Sequence, residues 1–194
     1  MKYFSILLLA VLVGCTTPAK LDAVAVKFSH QLGKPSKPFS AFSNYQLKPA
    51  ILSEDVKNNP GNTADLVVLE KILTQKLTRL FAGWSSSGSQ IRSGTLIVQP
   101  KIIKIRIVGP FTRIVVGSLA GQSSIVIDLM LTDSSTGGVI ANPRIKKNSG
   151  AWAGGWSFGL SDRNLHEYVA HIARQYFINN YDDYTFIRCI HIKK

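Results

Sequence analysis

Ser157 stands in Gly155-Trp156-Ser157-Phe158-Gly159, the Gly-x-Ser-x-Gly spacing that holds a nucleophile on a sharp turn between a strand and a helix. Such a site needs an acid and then a histidine further along the chain, which leaves Ser157, Asp182 or Asp183, and His191 as the one sensible triad. The residues leading into Ser157 are glycine-rich rather than strand-forming, so a small serine hydrolase is an alternative and not the first reading. His166 and His171 are five apart and do not share a helix face as a three- or four-residue spacing would. Cys189 and His191 are a lone pair of potential ligands, and His30 is remote in sequence. No His-Glu-x-x-His motif occurs, and no metal or other cofactor is expected. Asp182 and Asp183 are adjacent, whereas glycosidase acid–base chemistry needs its carboxyls apart across a cleft. Gly117 and Gly121 lack the following Lys-Ser/Thr of a phosphate cradle.

Binding is better provided for than catalysis. Residues 149–159 hold three large aromatics, Trp152, Trp156 and Phe158, among four glycines and without a charge. These rings are either core side chains or an exposed contact surface for a partner, apolar cargo or lipid. Lys104 and Arg106 alternate with Ile103, Ile105 and Ile107, which gives a strand with one basic, wet face. The chain carries 23 Lys and Arg against 11 Asp and Glu, a formal charge of +12. Its basic residues are dispersed, with Lys146-Lys147 and Lys193-Lys194 the only adjacent pairs. That spread fits a solvated surface, an anionic lipid layer or an acidic partner better than nucleic acid, which is not expected as a partner.

The first residues set the compartment. Met1-Lys2 precedes an apolar run from Tyr3 to Val13, too short for a stable membrane span and matched to a secretory signal. Leu12-Val13-Gly14-Cys15 resembles the lipobox of bacterial lipoproteins. The resemblance implies cleavage before Cys15, a diacylglyceryl group on its sulfur and acylation of the new amino terminus. Multiple acyl chains make a lasting membrane anchor. Thr16, rather than Asp, follows the cysteine; in a Gram-negative cell this implies passage to the periplasmic leaflet of the outer membrane. Removing residues 1–14 leaves 180 residues, read as a tether over 15–22 and a single periplasmic domain over 23–194. With Cys15 lipidated, Cys189 has no partner within the chain, so the core must hold the fold without a disulfide.

The elements that must position these residues follow from periodicity. Residues 23–28 alternate loosely as a first strand, and 45–52 reads as a strand that Pro49 confines to an edge or breaks. Leu66, Leu69, Leu73, Leu77 and Leu80 recur at three- and four-residue spacing, an amphipathic helix capped by Asn62 or Thr63 and ended by Gly83. Residues 95–108 form a strand with Pro100 at its start or in a bulge. In the next strand Ile125, Ile127, Leu129 and Leu131 share a face, and 139–145 returns after the turn at 133–138. Ser161 or Asp162 caps a second helix whose face is Leu165, Val169, Ile172 and Tyr176, and 185–192 adds an edge strand. The order predicts an α/β fold of the α+β variety: a mixed, mostly antiparallel sheet with two amphipathic helices packed on one face.

From Arg113 through Gly117 and Gly121, then Ser124 to Asp133 and Thr136-Gly137, the chain resembles the DUF4410-like family of bacterial lipoproteins, over about residues 45–180. The resemblance implies a lipoprotein domain and supplies no catalytic residues; the Trp/Gly-rich stretch after Ile145 departs from the pattern. The expectation is a non-catalytic, lipid-anchored envelope protein with a binding or assembly/transport accessory role and an envelope protein as partner. A lipid- or glycan-binding module is a further alternative. The candidate contact surface is Trp152, Trp156, Phe158, Lys104 and Arg106.

Overall fold

The structure, a computed structural model, describes residues 25–59, 61, 63–85, 93–116, 121–149 and 164–182. Six strands form one sheet: β1 (Asn44–Leu47), β2 (Ile51–Leu52), β3 (Thr95–Arg106), β4 (Ser124–Asp133), β5 (Val139–Ala141) and β6 (Arg144–Asn148). Among the described residues the helices that accompany them are α1 (Glu54–Lys57), α2 (Thr63–Ser85), α3 (Pro110–Val116) and α4 (Leu165–Asn179), besides a short helical run at 25–29. β3 and β4 are the central antiparallel pair. β1 and β2 run in succession along the outer side of β3, both parallel to it, and the α1–α2 segment is the crossover such pairing requires. β5 and β6 run in succession along β4, both antiparallel. The sheet is mixed and mostly antiparallel, with both long helices on one face, as the periodicity predicts.

A row of prolines crosses this sheet. Pro49 lies in the gap between β1 and β2, and Pro143 in the gap between β5 and β6. Pro100 sits between them in mid-β3, opposite Leu129. The Leu129 amide donates to the Pro143 carbonyl at 3.0 Å, away from β3. Pro100 and Leu129 are therefore a non-hydrogen-bonded pair, and the missing N–H of Pro100 faces the broken edge where no strand residue is in register with it. A proline inside a central strand is tolerated because its defect points into a gap. The expectation of a strand start or bulge at Pro100 is thereby corrected.

The bulge lies three residues further on. Ile102 pairs with Ile127 and Lys104 with Val126, so Ile103 is the extra residue. One inserted residue reverses the facing of everything after it. Leu96, Val98, Pro100 and Ile102 are buried before it, and Ile105 after it. The sequence-based set Ile103, Ile105 and Ile107 is therefore correct beyond the bulge, whereas Ile103 itself is half-buried. In β4, Ile125, Ile127, Leu129 and Leu131 all face the core.

Leu69, Leu73, Leu77 and Phe81 of α2 are buried, with Leu66 and Leu80 at the margin of the same core. α4 buries Leu165, Val169, Ile172 and Tyr176, as its spacing predicts. Asp65 lies beside His166, Phe81 beside Phe177 and Trp84 beside Tyr181, so the two helices run in the same direction. Aromatic rings close the end where the helices finish. Tyr45 stacks on Phe81 at 5.4 Å, and Phe177 meets Phe81 edge-on at 5.1 Å and Phe39 at 5.1 Å. Each fully buried large apolar side chain here contributes roughly 1.5–3 kcal/mol relative to exposure.

Three local expectations change. Residues 25–29 are helical, not a strand, because Ala25 is buried in the helical layer and Phe28 packs against it. α2 runs through Gly83 to Ser85, whose hydroxyl donates to the Phe81 carbonyl at 3.1 Å. The single return strand at 139–145 is two strands, parted at Pro143. The turn before it behaves as read: Asp133 Oδ1 accepts the Ser135 amide at 2.9 Å, and Gly137 has φ +68°. The caps proposed at Asn62, Ser161 and Asp162, and the strand at 185–192, lie outside the described residues.

Candidate functional site

None of the described helices packs on the second face of the sheet, and that face collects the strand cations. Opposite the core residues of β4 stand Ser124, Val126, Asp128, Met130 and Thr132. Register brings Lys101 of β3 and Arg144 of β6 to either side of Asp128, and Lys104 and Lys146 to either side of Val126. Arg106 and Asn148 flank Ser124 in the same way. Alternation, shifted by the bulge at Ile103, thus delivers Lys101, Lys104, Arg106, Arg144 and Lys146 to one surface.

Asp128 is the one carboxylate among them, and it is buried. Arg144 grips it with two hydrogen bonds, Nε to Oδ1 and Nη2 to Oδ2, each 2.7 Å. Hydrogen bonding to Asp128 and then its negative charge push the Arg144 guanidinium above its ordinary pKa. With that pair mutually neutralised, Lys101, Lys104, Arg106 and Lys146 set the sign of the face. Arg106 Nη1 also donates to the Gln122 carbonyl at 3.2 Å, and Ser124 Oγ to Asn148 Oδ1 at 2.8 Å. Val126, between Lys104 and Lys146 in register, is 8% exposed, while Met130 stands 41% exposed. A basic surface with an apolar floor can hold an anionic partner; among its described residues it offers no nucleophile–base pair.

Lys147 occupies the other face, paired with Ile125. Its ammonium lies 4.3 Å from the Phe28 ring centroid and 5.6 Å from that of Tyr168. Burial there lowers its pKa.

A second polar group lies between α2 and α4. Lys76 Nζ is 3.0 Å from His171 Nε2 and 3.0 Å from Glu167 Oε2, while His166 Nε2 is 3.4 Å from Asp65 Oδ1. The two histidines go to different partners, as their five-residue spacing predicts. This seam fixes the rotation of one helix against the other. Among the described residues, no group of three or more His, Cys, Asp or Glu could hold a metal ion.

Of the sequence-derived site residues, Lys104 and Arg106 are exposed on the basic face, and Asp182 is exposed just after α4. Ser157, His191, Cys15, Trp152, Trp156 and Phe158 lie outside the described residues, as does Asp183. Sequence reasoning missed Lys101, Asp128, Arg144 and Lys146 as companions of Lys104 and Arg106. An acid isolated in the middle of an apolar strand, as Asp128 is, was the available signal.

No family model matches the chain, the DUF4410-like family included, and no curated protein matches it. Solved structures give distant likenesses. The PelC dodecamer from Paraburkholderia phytofirmans is 11% identical, covering 74% of this chain and 94% of that one, with a TM-score of 0.43. A substituted form of the same PelC gives 11% identity, 73% and 93% coverage, and a TM-score of 0.39. A candidate lipoprotein from Caulobacter crescentus is 12% identical, covering 82% of this chain and 95% of that one, at 0.36. At such values the likeness carries no assignment of function. No described helix is long and apolar enough to cross a membrane.

Proposed function

We propose that this chain is a non-catalytic, lipid-anchored domain of the cell envelope that presents its open sheet face to an anionic envelope partner. The observation that carries this reading is the gathering of Lys101, Lys104, Arg106 and Lys146 on one surface where the one carboxylate among the described residues, Asp128, is already held by Arg144. Surface cations of this kind steer association and favour acidic partners. The lipobox-like Leu12-Val13-Gly14-Cys15 supplies the anchor in this proposal, and Thr16 directs it to the periplasmic leaflet of the outer membrane. An assembly or transport accessory role is its most concrete form, with the Trp152–Phe158 segment as a second contact.

The test is crosslinking in cells followed by capture of the anchored protein. A stoichiometric envelope partner should be recovered with the native chain and lost with Lys101→Glu/Lys146→Glu, while Cys15→Ala releases the protein from the membrane fraction. Capture that is indifferent to the charge reversal overturns the role of the basic face.

A further inference from the structure

We propose that the β3–β4 connection is a membrane-touching tip: Phe111, Val115 and Val116 enter the interfacial layer of an anionic bilayer while Lys104 and Arg106 sit at the level of its phosphates. The three apolar residues belong to the seven-residue α3 and are 77%, 65% and 44% exposed. So dense a cluster of bare apolar side chains marks a contact surface. The stalk beneath them is fixed. The Val108 amide donates to Ser123 Oγ at 2.8 Å, and the Ser123 amide to Ser149 Oγ at 3.1 Å. Arg106 closes the same neck on the Gln122 carbonyl. Apolar residues held at the end of a rigid neck with cations at its base match the layering of a lipid surface, hydrocarbon outermost and phosphate behind it.

Charge and chain direction select lipid over other occupants. From Lys71 to Ile127 the sequence has no Asp or Glu, so the tip and its flanking strand ends carry cations alone. Glu54 and Asp55 stand on the β2 side of this end, where Glu54 is bonded to Lys57 at 2.7 Å. Residues 28–36 also lead away from this end. Ser36 is tied to Ile140 at the far end of the sheet, Gly33 to Tyr176, and Phe28 lies under Lys147, whose neighbour in the sheet, Ile125, pairs with Ile105. Nine residues lie between Cys15 and Ala25, ten Cα steps that span at most about 35 Å when extended. An anchor at Cys15 and the α3 tip can therefore meet one membrane plane. Only this shared plane rests on the anchored reading.

The experiment uses the protein matured in its own cell, with Cys189→Ser and a single reporter cysteine, Val115→Cys or Val139→Cys, carrying an environment-sensitive fluorophore. Val139 is 70% exposed and lies at the opposite end of the sheet. In vesicles of phosphatidylcholine with phosphatidylglycerol, the reporter at 115 should shift to the blue and be quenched severalfold more slowly by aqueous iodide than the one at 139. Lys104→Glu, and separately Phe111→Ser, should abolish the difference. Equal quenching at both positions overturns the proposal, and so does protection of position 115 without vesicles, which would mean a second copy covers the tip. The intact mass reports the lipid on Cys15 independently, so failure of the anchor and failure of the tip read out separately.

Discussion

Arg144 holds Asp128 through two parallel 2.7 Å hydrogen bonds across the β4–β6 pair, so the one carboxylate among the described residues of the basic sheet face is already engaged when a partner approaches. The two residues should therefore respond oppositely in binding and alike in stability. Asp128→Asn should bind a phosphocellulose column to higher salt than the native chain, and Arg144→Ala should elute earlier. Both should lower the thermal midpoint, and Arg144→Lys should restore it only in part, since an ammonium cannot make the bidentate pair. Glu54→Gln makes the same charge change as Asp128→Asn on the α1 rim and should shift elution less. Equal shifts would mean that net charge, not this face, governs retention.

Tyr176 predicts alkaline lability. Its ring is fully buried, its hydroxyl donates to the Gly33 carbonyl at 3.0 Å, and burial raises its pKa above the ordinary 10.0. Above pH 10 the unfolded phenol ionises while the folded one keeps its proton. The native state then binds more protons, and stability falls as pH rises, by up to about 1.4 kcal/mol per unit. Tyr176→Phe should cost about 1 kcal/mol near neutrality and flatten that decline in denaturant titrations at pH 9 to 11.

Asp133 governs the acid side. The Ser135 hydroxyl at 2.6 Å is the main cause of its lowered pKa, followed by the Ser135 amide and the Lys37 ammonium at 3.5 Å. The folded pKa lies below the unfolded 3.8, so its contribution is complete above that value and lost as pH falls through the folded pKa. Asp133→Asn should be less stable than the native chain at pH 7, and the gap should close below pH 3.8. A gap that persists at pH 2 would show that the turn needs the side-chain shape rather than its charge.

Phe177 joins three aromatic contacts, to Phe39, Phe81 and Tyr176, at centroid distances of 5.1, 5.1 and 6.0 Å. Phe177→Ala should cost about 3–5 kcal/mol in urea unfolding, because neighbours drawn from the 3-10 turn at Phe39–Ala41, α2 and α4 cannot all collapse into the void. Trp84→Ala, at the partly exposed edge of the same cluster, should cost less.

Periodicity made the two long helices and β4 legible, since each keeps one phase throughout: Leu69, Leu73 and Leu77 never leave the core side, nor do Ile125, Ile127 and Leu129. β3 was only half legible because its phase changes at Ile103, and a bulge leaves no mark in residue type. The basic face was glimpsed through Lys104 and Arg106, but its other members come from two strands that only register brings together. Residues 25–29 misled because Ala-Val-Ala-Val alternates like a strand, while Ser29 accepts a hydrogen bond from Asn179 of α4 and so belongs to a helical layer. The exposed α3 was illegible for a similar reason: Phe111 to Val116 reads as β-forming, and nothing local says that it is left uncovered.

The proline row has a consequence for how copies of this chain can meet. Pro49 and Pro143 cut both rims of the sheet at one level, leaving strand runs of four and two residues on one rim and three and five on the other. Short interrupted rims are poor templates for adding a strand from a neighbouring molecule. Crowding of copies therefore need not zip these described rims into continuous β-ribbons.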